Sequence, residues 1–445
     1  MSTSIGDALH PVKSYLAPHD EVMAMRTTSV TEDGKSIGIN NPVYIEHQSN
    51  HHDSFGKLRV TSPFTLLDFK QNRDNLPLFF DDQQTSGSGT TSTYNTNKAS
   101  TTIGVSANTA GTRVRQSKMW GNYQPGKSQM ILLTGNFKGH VSGVTKRIGY
   151  FWDRWGLFFE SNGTNMGVVV RTYNTGSAVD TRVAQANWNI DKMDGTGVSG
   201  VTVDWSKVQI MLIDFEWLGV GLVRYALVID GEIYYVHHAK HANINTEVYS
   251  SNPNAPIRYE ISNNGTGAAA TLDQICASVI SEGGQEQTSI TTYVSRDGTP
   301  ITLANQDLFT PVLSVRVKSD QRCTRVVPIE VSVLTTTNTN YEWALFINPT
   351  IASVDAASWV DVTNSAIQYD QSRTNANTLT GGYKISGGYG SSSATSKISI
   401  TGASKSHLTI GSSITGTMDE LVLGVKNIDA NGGTCYAGIT LTEYC

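Results

Sequence analysis

"VRYALVIDGEIYYVHH", residues 223–238, is the stretch whose reading decides the fold. Two runs of β-branched and aromatic residues flank Asp230-Gly231. A two-residue type I′ turn needs positive φ at both central positions, which this dipeptide tolerates. Val223, Tyr225, Leu227 and Ile229 share one face of the first run while Arg224 and Asp230 lie on the other, a period of two. An antiparallel sheet with one face on a core has that pattern. "GLFFESNGTNMGVVVRTY", residues 156–173, repeats the signal around Asn162-Gly163.

Outward from these hairpins the composition agrees. Charged residues are 16% of the chain, against roughly 25% in ordinary globular proteins, and Ser, Thr, Asn and Gly fill the polar positions. That usage favours strands and tight turns over long helices. At ~150 residues per domain, 445 residues allow two or three domains. Residues 1–60, punctuated by Pro11, Pro18 and Pro42, read as an extended arm. "QQTSGSGTTSTYNTNKAS", residues 83–100, reads as a loop too polar to pack a core. "AAATLDQICASVISEGG" has helical spacing at Leu272, Ile275, Cys276 and Val279, yet its β-branched content leans toward strand. A second run of strands begins at "TPVLSVRVK" and ends in an expected hairpin turning at Asn431-Gly432. The expected fold is all-β: the arm, a central jelly-roll or concanavalin-like sandwich over 61–300, and a smaller C-terminal sandwich over 301–445.

Several function classes drop out. With a net charge of -5 and no Lys/Arg-rich block, nothing draws the chain to nucleic acid. No stretch reaches 18 apolar residues and the start lacks a basic region followed by an apolar one, so no membrane insertion is expected and the chain reads as cytoplasmically made. Cys276, Cys323, Cys435 and Cys445 lack C-x-x-C spacing and read as reduced, mostly buried thiols, although a folded-back last hairpin would let Cys435 and Cys445 meet. "GNYQPGKS", residues 121–128, fits the phosphate-loop pattern letter for letter. That motif works only between a strand and a helix, and the "QMILLTGNFKG" that follows has strand length. A Pro-Gly hairpin turn is expected instead, with Pro125 and Gly126 central and Lys127 solvated. No cofactor is expected.

Three stretches carry candidate chemistry. In "MLIDFEWLGVG", residues 211–221, strand parity puts Leu212, Asp214, Glu216 and Leu218 on one face. "IDFEWLG" resembles the E-x-D-x-E strand of the laminarinase, lichenase and xyloglucan-transglycosylase family. The resemblance implies a helper role for Asp214 and an acid/base role for Glu216, with Leu212 standing where the nucleophile would be. Retaining hydrolysis needs two carboxyl groups about 5–5.5 Å apart, so the chain is expected not to be an enzyme, and Asp214 and Glu216 become candidate glycan-binding residues on a lectin-like sheet. "YFWDRWGLFF" adds Trp152, Trp155 and Arg154 as a sugar-stacking platform, although on a strand the two Trp would face opposite sides. "VHHAKH" gives His237, His238 and His241, and the arm gives His47, His51 and His52 beside Asp53. Neither cluster has a convincing third and fourth ligand, so no metal is expected and solvated or intersubunit histidines are.

"FGKLRVTSPFTLLDF", "GTTSTYNTNKASTTIGVSANTAGTRVRQ", "NYQPGKSQ", "IDFEWLGVG" and "VISEGG", spread over residues 54–284, together resemble a family of poorly characterised virion structural proteins of tailed bacteriophages, many of them marine, and of some large DNA viruses. The resemblance implies a virion location, with no catalytic residues to carry over. The expectation is a fibre or tail adhesin, or a capsid decoration protein, possessing a surface for host glycan. Its arm would dock on other virion proteins and it would assemble as a homo-oligomer, a trimer being favoured. The alternative is a glycan-active jelly-roll enzyme of the laminarinase kind, or its inactive lectin-like relative.

Overall fold

The computed structural model describes residues 51–284, 288–303, 307–336, 340–352, 355–391, 396–399, 410–429 and 432–444, and Ser49–Cys445 form one compact unit. The expected arm up to residue 50, with His47, lies outside the described residues, as do Asn431 and Cys445.

Fifteen strands make the central sandwich: β1 (Phe64–Lys70), β2 (Phe80–Gly87), β3 (Thr90–Asn95), β4 (Ser100–Val105), β5 (Gly111–Gly121), β6 (Gln129–Asn136), β7 (Val144–Phe151), β8 (Gly156–Ser161), β9 (Met166–Thr172), β10 (Val179–Ala184), β11 (Gln209–Phe215), β12 (Val223–Ile229), β13 (Glu232–Ala239), β14 (Ala255–Asn263) and β15 (Ala270–Ser281). One sheet runs β13-β12-β11-β6-β15-β4-β3, with β1 also on β15, and the other runs β10-β9-β8-β7-β14-β5-β2. Alternate residues of the first sheet, such as Ile131, Leu133, Met211, Ile213, Tyr225 and Leu227, meet Ile148, Tyr150, Leu157, Phe159, Ile257 and Tyr259 of the second. Each such side chain contributes about 1.5–3 kcal/mol on leaving water, which makes this layer the main source of stability.

The β12–β13 turn has Asp230 at φ 51° and Gly231 at φ 87°, the expected type I′ geometry. Between β8 and β9 the loop is longer. Asn162 there accepts from the amides of Thr164 and Asn165, each at 3.0 Å, while Gly163 takes φ 91°. The ambiguous helical spacing belongs to β15. A bulge between Gln274 and Cys276 shifts its register, so even-numbered Leu272 and odd-numbered Val279 both reach the core, which imitates a helix in the sequence.

Several expectations are corrected. The polar stretch 83–100 contains the end of β2 and all of β3, the strands that end the two sheets; such edge strands bury too little to need apolar residues. "GNYQPGKS" joins strand to strand, but β5 and β6 lie in different sheets, so it is a crossover turn and no hairpin. Gly126 has φ 83°, and half-buried Lys127 donates to Gln124 Oε1 at 2.9 Å.

The C-terminal sandwich has its own core, around Val331, Val333, Trp343, Leu345, Leu423, Val425, Ile439 and Leu441. One sheet joins Ser289–Ser295, Gly433–Tyr444, Arg325–Thr335 and Ser396–Ser399; the other centres on Thr310–Val317, Leu421–Asn427 and Asn340–Ile347. The chain therefore changes sandwich upstream of residue 300. The expected final hairpin does not form, because Leu421–Asn427 and Gly433–Tyr444 lie in different sheets. Cys276 is exposed, contrary to the expected burial, while burial pushes the Cys435 thiol up to about 12. Among the described residues no helix is long and apolar enough to cross a membrane.

Candidate functional site

Asp214 is the penultimate residue of β11 and is 0% exposed. Its neighbours on the outer face of the sheet are Leu212, Ala226 and Tyr235. Both oxygens are engaged: Oδ1 accepts from Arg224 Nε at 2.6 Å and Ser54 Oγ at 2.9 Å, and Oδ2 from Arg224, Arg59 and the Tyr235 hydroxyl, each at 2.6 Å. Arg224 also donates to the His52 carbonyl at 2.8 Å. Asp214 thus latches residues 52–59 onto the sheet and offers no surface to a glycan.

Glu216 does not continue that face. β11 ends at Phe215, and Glu216 enters a turn in which its Oε1 accepts from the Leu222 amide at 3.0 Å. Burial raises its pKa, against the opposing Leu222 bond, with nearby Asp53 adding to the rise. The strand parity that pairs the two carboxylates in sequence stops one residue too early.

Trp152, Arg154 and Trp155 do converge, for a reason that parity misses. Residues 152–155 form the turn between β7 and β8, closed by Trp152 N–H donating to Trp155 O at 2.9 Å, so the opposite-side rule for strands does not apply. All three line a cleft of about 270 Å³ between the two sandwiches, together with Trp120, Tyr173, Asn252 and residues 319–323 of the C-terminal sandwich. Trp155 ties the wall to the core: its Nε1 donates to Asn254 O at 3.2 Å and its ring meets Tyr150 edge-on at 5.9 Å. Trp120 and Trp152 meet edge-to-face at 5.0 Å. The Arg154 guanidinium sits 5.2 Å from the Trp152 ring and 5.4 Å from the Tyr173 ring, and Arg322 sits 5.2 Å from the Trp152 ring.

Two features give this cleft binding capacity. The indole Nε1 atoms of Trp120 and Trp152 are buried and find no hydrogen-bond partner among the described residues. An indole N–H only donates, and buried donors are almost always satisfied in folded proteins. The guanidiniums of Arg154 and Arg322 add further donors. Bonds across the seam hold the wall, with Asn254 Nδ2 donating to Cys323 O at 3.4 Å and Asn122 Nδ2 to Tyr444 O at 3.2 Å. Sequence reading missed Trp120, Tyr173 and Arg322, since nothing local marks residues that meet only through the docking of two sandwiches.

His237, His238 and His241 line a separate cavity of about 440 Å³ with Tyr225 and Tyr249. His241 stacks on Tyr249 at 4.2 Å, and its Nδ1 lies 2.8 Å from Gly221 O. Burial lowers the pKa of all three, His238 to about 4 with Arg224 adding to the fall. No group of three metal-ligating side chains is arranged to hold an ion among the described residues.

No family model and no curated protein matches the chain. Solved structures similar to it include a glycoside hydrolase family protein from Mycobacterium thermorestibile, 12% identical, covering 48% of this chain and 99% of that one with a TM-score of 0.33. An endo-beta-1,4-glucuronan lyase from the fungus Trichoderma reesei is 10% identical, covering 45% and 94% with a TM-score of 0.27. A legume lectin-like domain from Entamoeba histolytica is 10% identical, covering 49% and 98% with a TM-score of 0.29. The fold is thus an antiparallel sandwich of the jelly-roll and concanavalin-like kind. The expectation that the chain is not an enzyme is corrected: a glycoside hydrolase family protein and a glucuronan lyase stand among these structures.

Proposed function

We propose that this protein binds carbohydrate in the cleft between its two sandwiches, as a surface component of a virus particle. The observation that carries the reading is the wall of that cleft: the guanidiniums of Arg154 and Arg322 beside the rings of Trp120, Trp152 and Tyr173. Sugars present dense arrays of oxygen acceptors beside apolar ring faces, which is the complement of such a wall. The place on a particle rests on the sequence resemblance, with residues 1–50 of the expected arm as the anchor to other virion proteins and a trimer as the assembled form.

A glycan array probed with the full chain tests the binding. At least one glycan class is expected to be retained, with at least tenfold weaker retention by Trp152→Ala. Equal retention by the variant would refute the cleft as the site. New reducing ends in the same samples would make the site catalytic. The particle assignment predicts that removing residues 1–50 abolishes incorporation into virions while leaving glycan retention intact; incorporation of the shortened chain would refute the anchor.

A further inference from the structure

The cleft also has a sign of charge. Among the arginines from Arg59 to Arg258, every one but Arg154 is ion-paired to a carboxylate. Arg154 makes no ion pair among the described residues, and neither does Arg322 across the seam. Both guanidiniums nevertheless gather at one ring, each 5.2 Å from Trp152. Exposed Arg154 and half-buried Arg322 thus hold like charge at one ring, at a cost to Arg322 that nearby Asp153 offsets only in part. Arg322 registers that cost: burial lowers its proton affinity, Asp153 opposes the fall, and Arg154 deepens it.

Neighbouring acids do not cancel the charge. Asp153 is committed to Arg258 at 2.7 Å, and Asp320, the carboxylate among the cleft's lining residues, is exposed at the rim. The wall also carries the hydroxyl and amide groups of Tyr173, Ser251, Asn252, Ser319 and Gln321, which both donate and accept. Trp120 is only 6% exposed, and its N–H and that of Trp152 both lack acceptors among the described residues. A neutral sugar would leave the guanidiniums repelling each other. A carboxylate accepts from both and offsets the repulsion, because charge-assisted bonds to guanidinium are about twice as strong as neutral ones.

Resting on the carbohydrate reading, we propose that the cleft selects saccharides carrying a carboxylate, with a uronic acid unit seated between Arg154 and Arg322 against the Trp152 ring. A sulfate ester shares the anionic chemistry and is separated from it by the test.

The experiment is titration calorimetry of the full chain with a short oligogalacturonate and with its methyl ester, which keeps the sugar backbone and removes the charge. The oligogalacturonate is expected to bind at least tenfold tighter. Arg322→Gln and, separately, Arg154→Gln should each shrink that preference, weakening binding of the oligogalacturonate more than that of the methyl ester. Equal affinity for acid and ester overturns the proposal and leaves the carbohydrate reading standing. Binding of neither, with other glycans retained on the array, overturns the proposal alone; binding of no glycan at all overturns both. A sulfated galactan that outcompetes the oligogalacturonate, or inorganic sulfate that does so at equal concentration, also overturns it. Each variant is matched to the parent by thermal unfolding, and because Arg154 is exposed its variant keeps the test decisive if Arg322→Gln folds poorly.

Discussion

A single carboxylate at 0% exposure, between two arginines and a tyrosine, fixes how residues 52–59 lie on the central sheet. Replacing it takes the carboxylate from the buried Arg224 guanidinium, while Arg59 keeps Glu282 at 2.7 Å. Asp214→Asn is therefore expected to lower stability by about 3 kcal/mol, read from the urea midpoint, because removing one partner of a buried pair leaves its mate uncompensated. An unchanged midpoint would mean that the latch is dispensable. Glycan retention should not change, which separates this residue from the cleft. In the sequence Asp214 stands out as a charge inside an apolar strand, and that much is legible. Its partner Arg59 is far upstream, and no local pattern connects the two.

At the level of strands, the outer face of the second sheet carries a ladder of charge. Arg147 of β7 bridges Glu160 of β8 at 2.8 Å and Glu260 of β14 at 2.7 Å, while Arg258 holds Glu260 at 2.7 Å. Burial pushes Glu260 up, but Arg258, Arg147 and Arg171 outweigh it and hold the carboxyl at about 2. A depressed folded pKa contributes stability above the unfolded value, near 4.5, and that stability fades as pH falls through the folded one. Stability should thus drop between about pH 4.5 and 2 by roughly 3 kcal/mol more in the parent than in Glu260→Gln, followed by urea unfolding across that range. Parallel curves for the two proteins would remove Glu260 from the acid response. Hairpins such as β12–β13 were legible because turn chemistry and parity are local. The β15 bulge and the crossover at Gly121–Ser128 were not, since register and sheet membership are decided by partners distant in the chain.

Over the whole molecule, two cores meet at a seam with few bonds, among them Ile414 N–H to Asp81 Oδ2 at 2.7 Å. Scanning calorimetry is expected to show two unfolding transitions, and a saturating cleft ligand should raise the lower one and draw the two together, since anything that binds only the docked state stabilises docking. Two unmoved transitions in saturating ligand would place the ligand outside the seam. Composition and strand pattern made the all-β architecture legible. The cleft was half legible, through "FWDRW", because its other wall comes from a different sandwich.

Ser289 pairs with Tyr444, so the C-terminal sandwich is entered and left at one point of the molecule. In genetic terms that makes it a cassette. One splice would replace it without cutting any strand of the central sheets, and the aromatic wall of Trp120, Trp152 and Tyr173 would be inherited unchanged. Arg322 would travel with the departing piece. Recombination at this junction would therefore exchange the wall of the cleft that carries Arg322 and keep the opposite one.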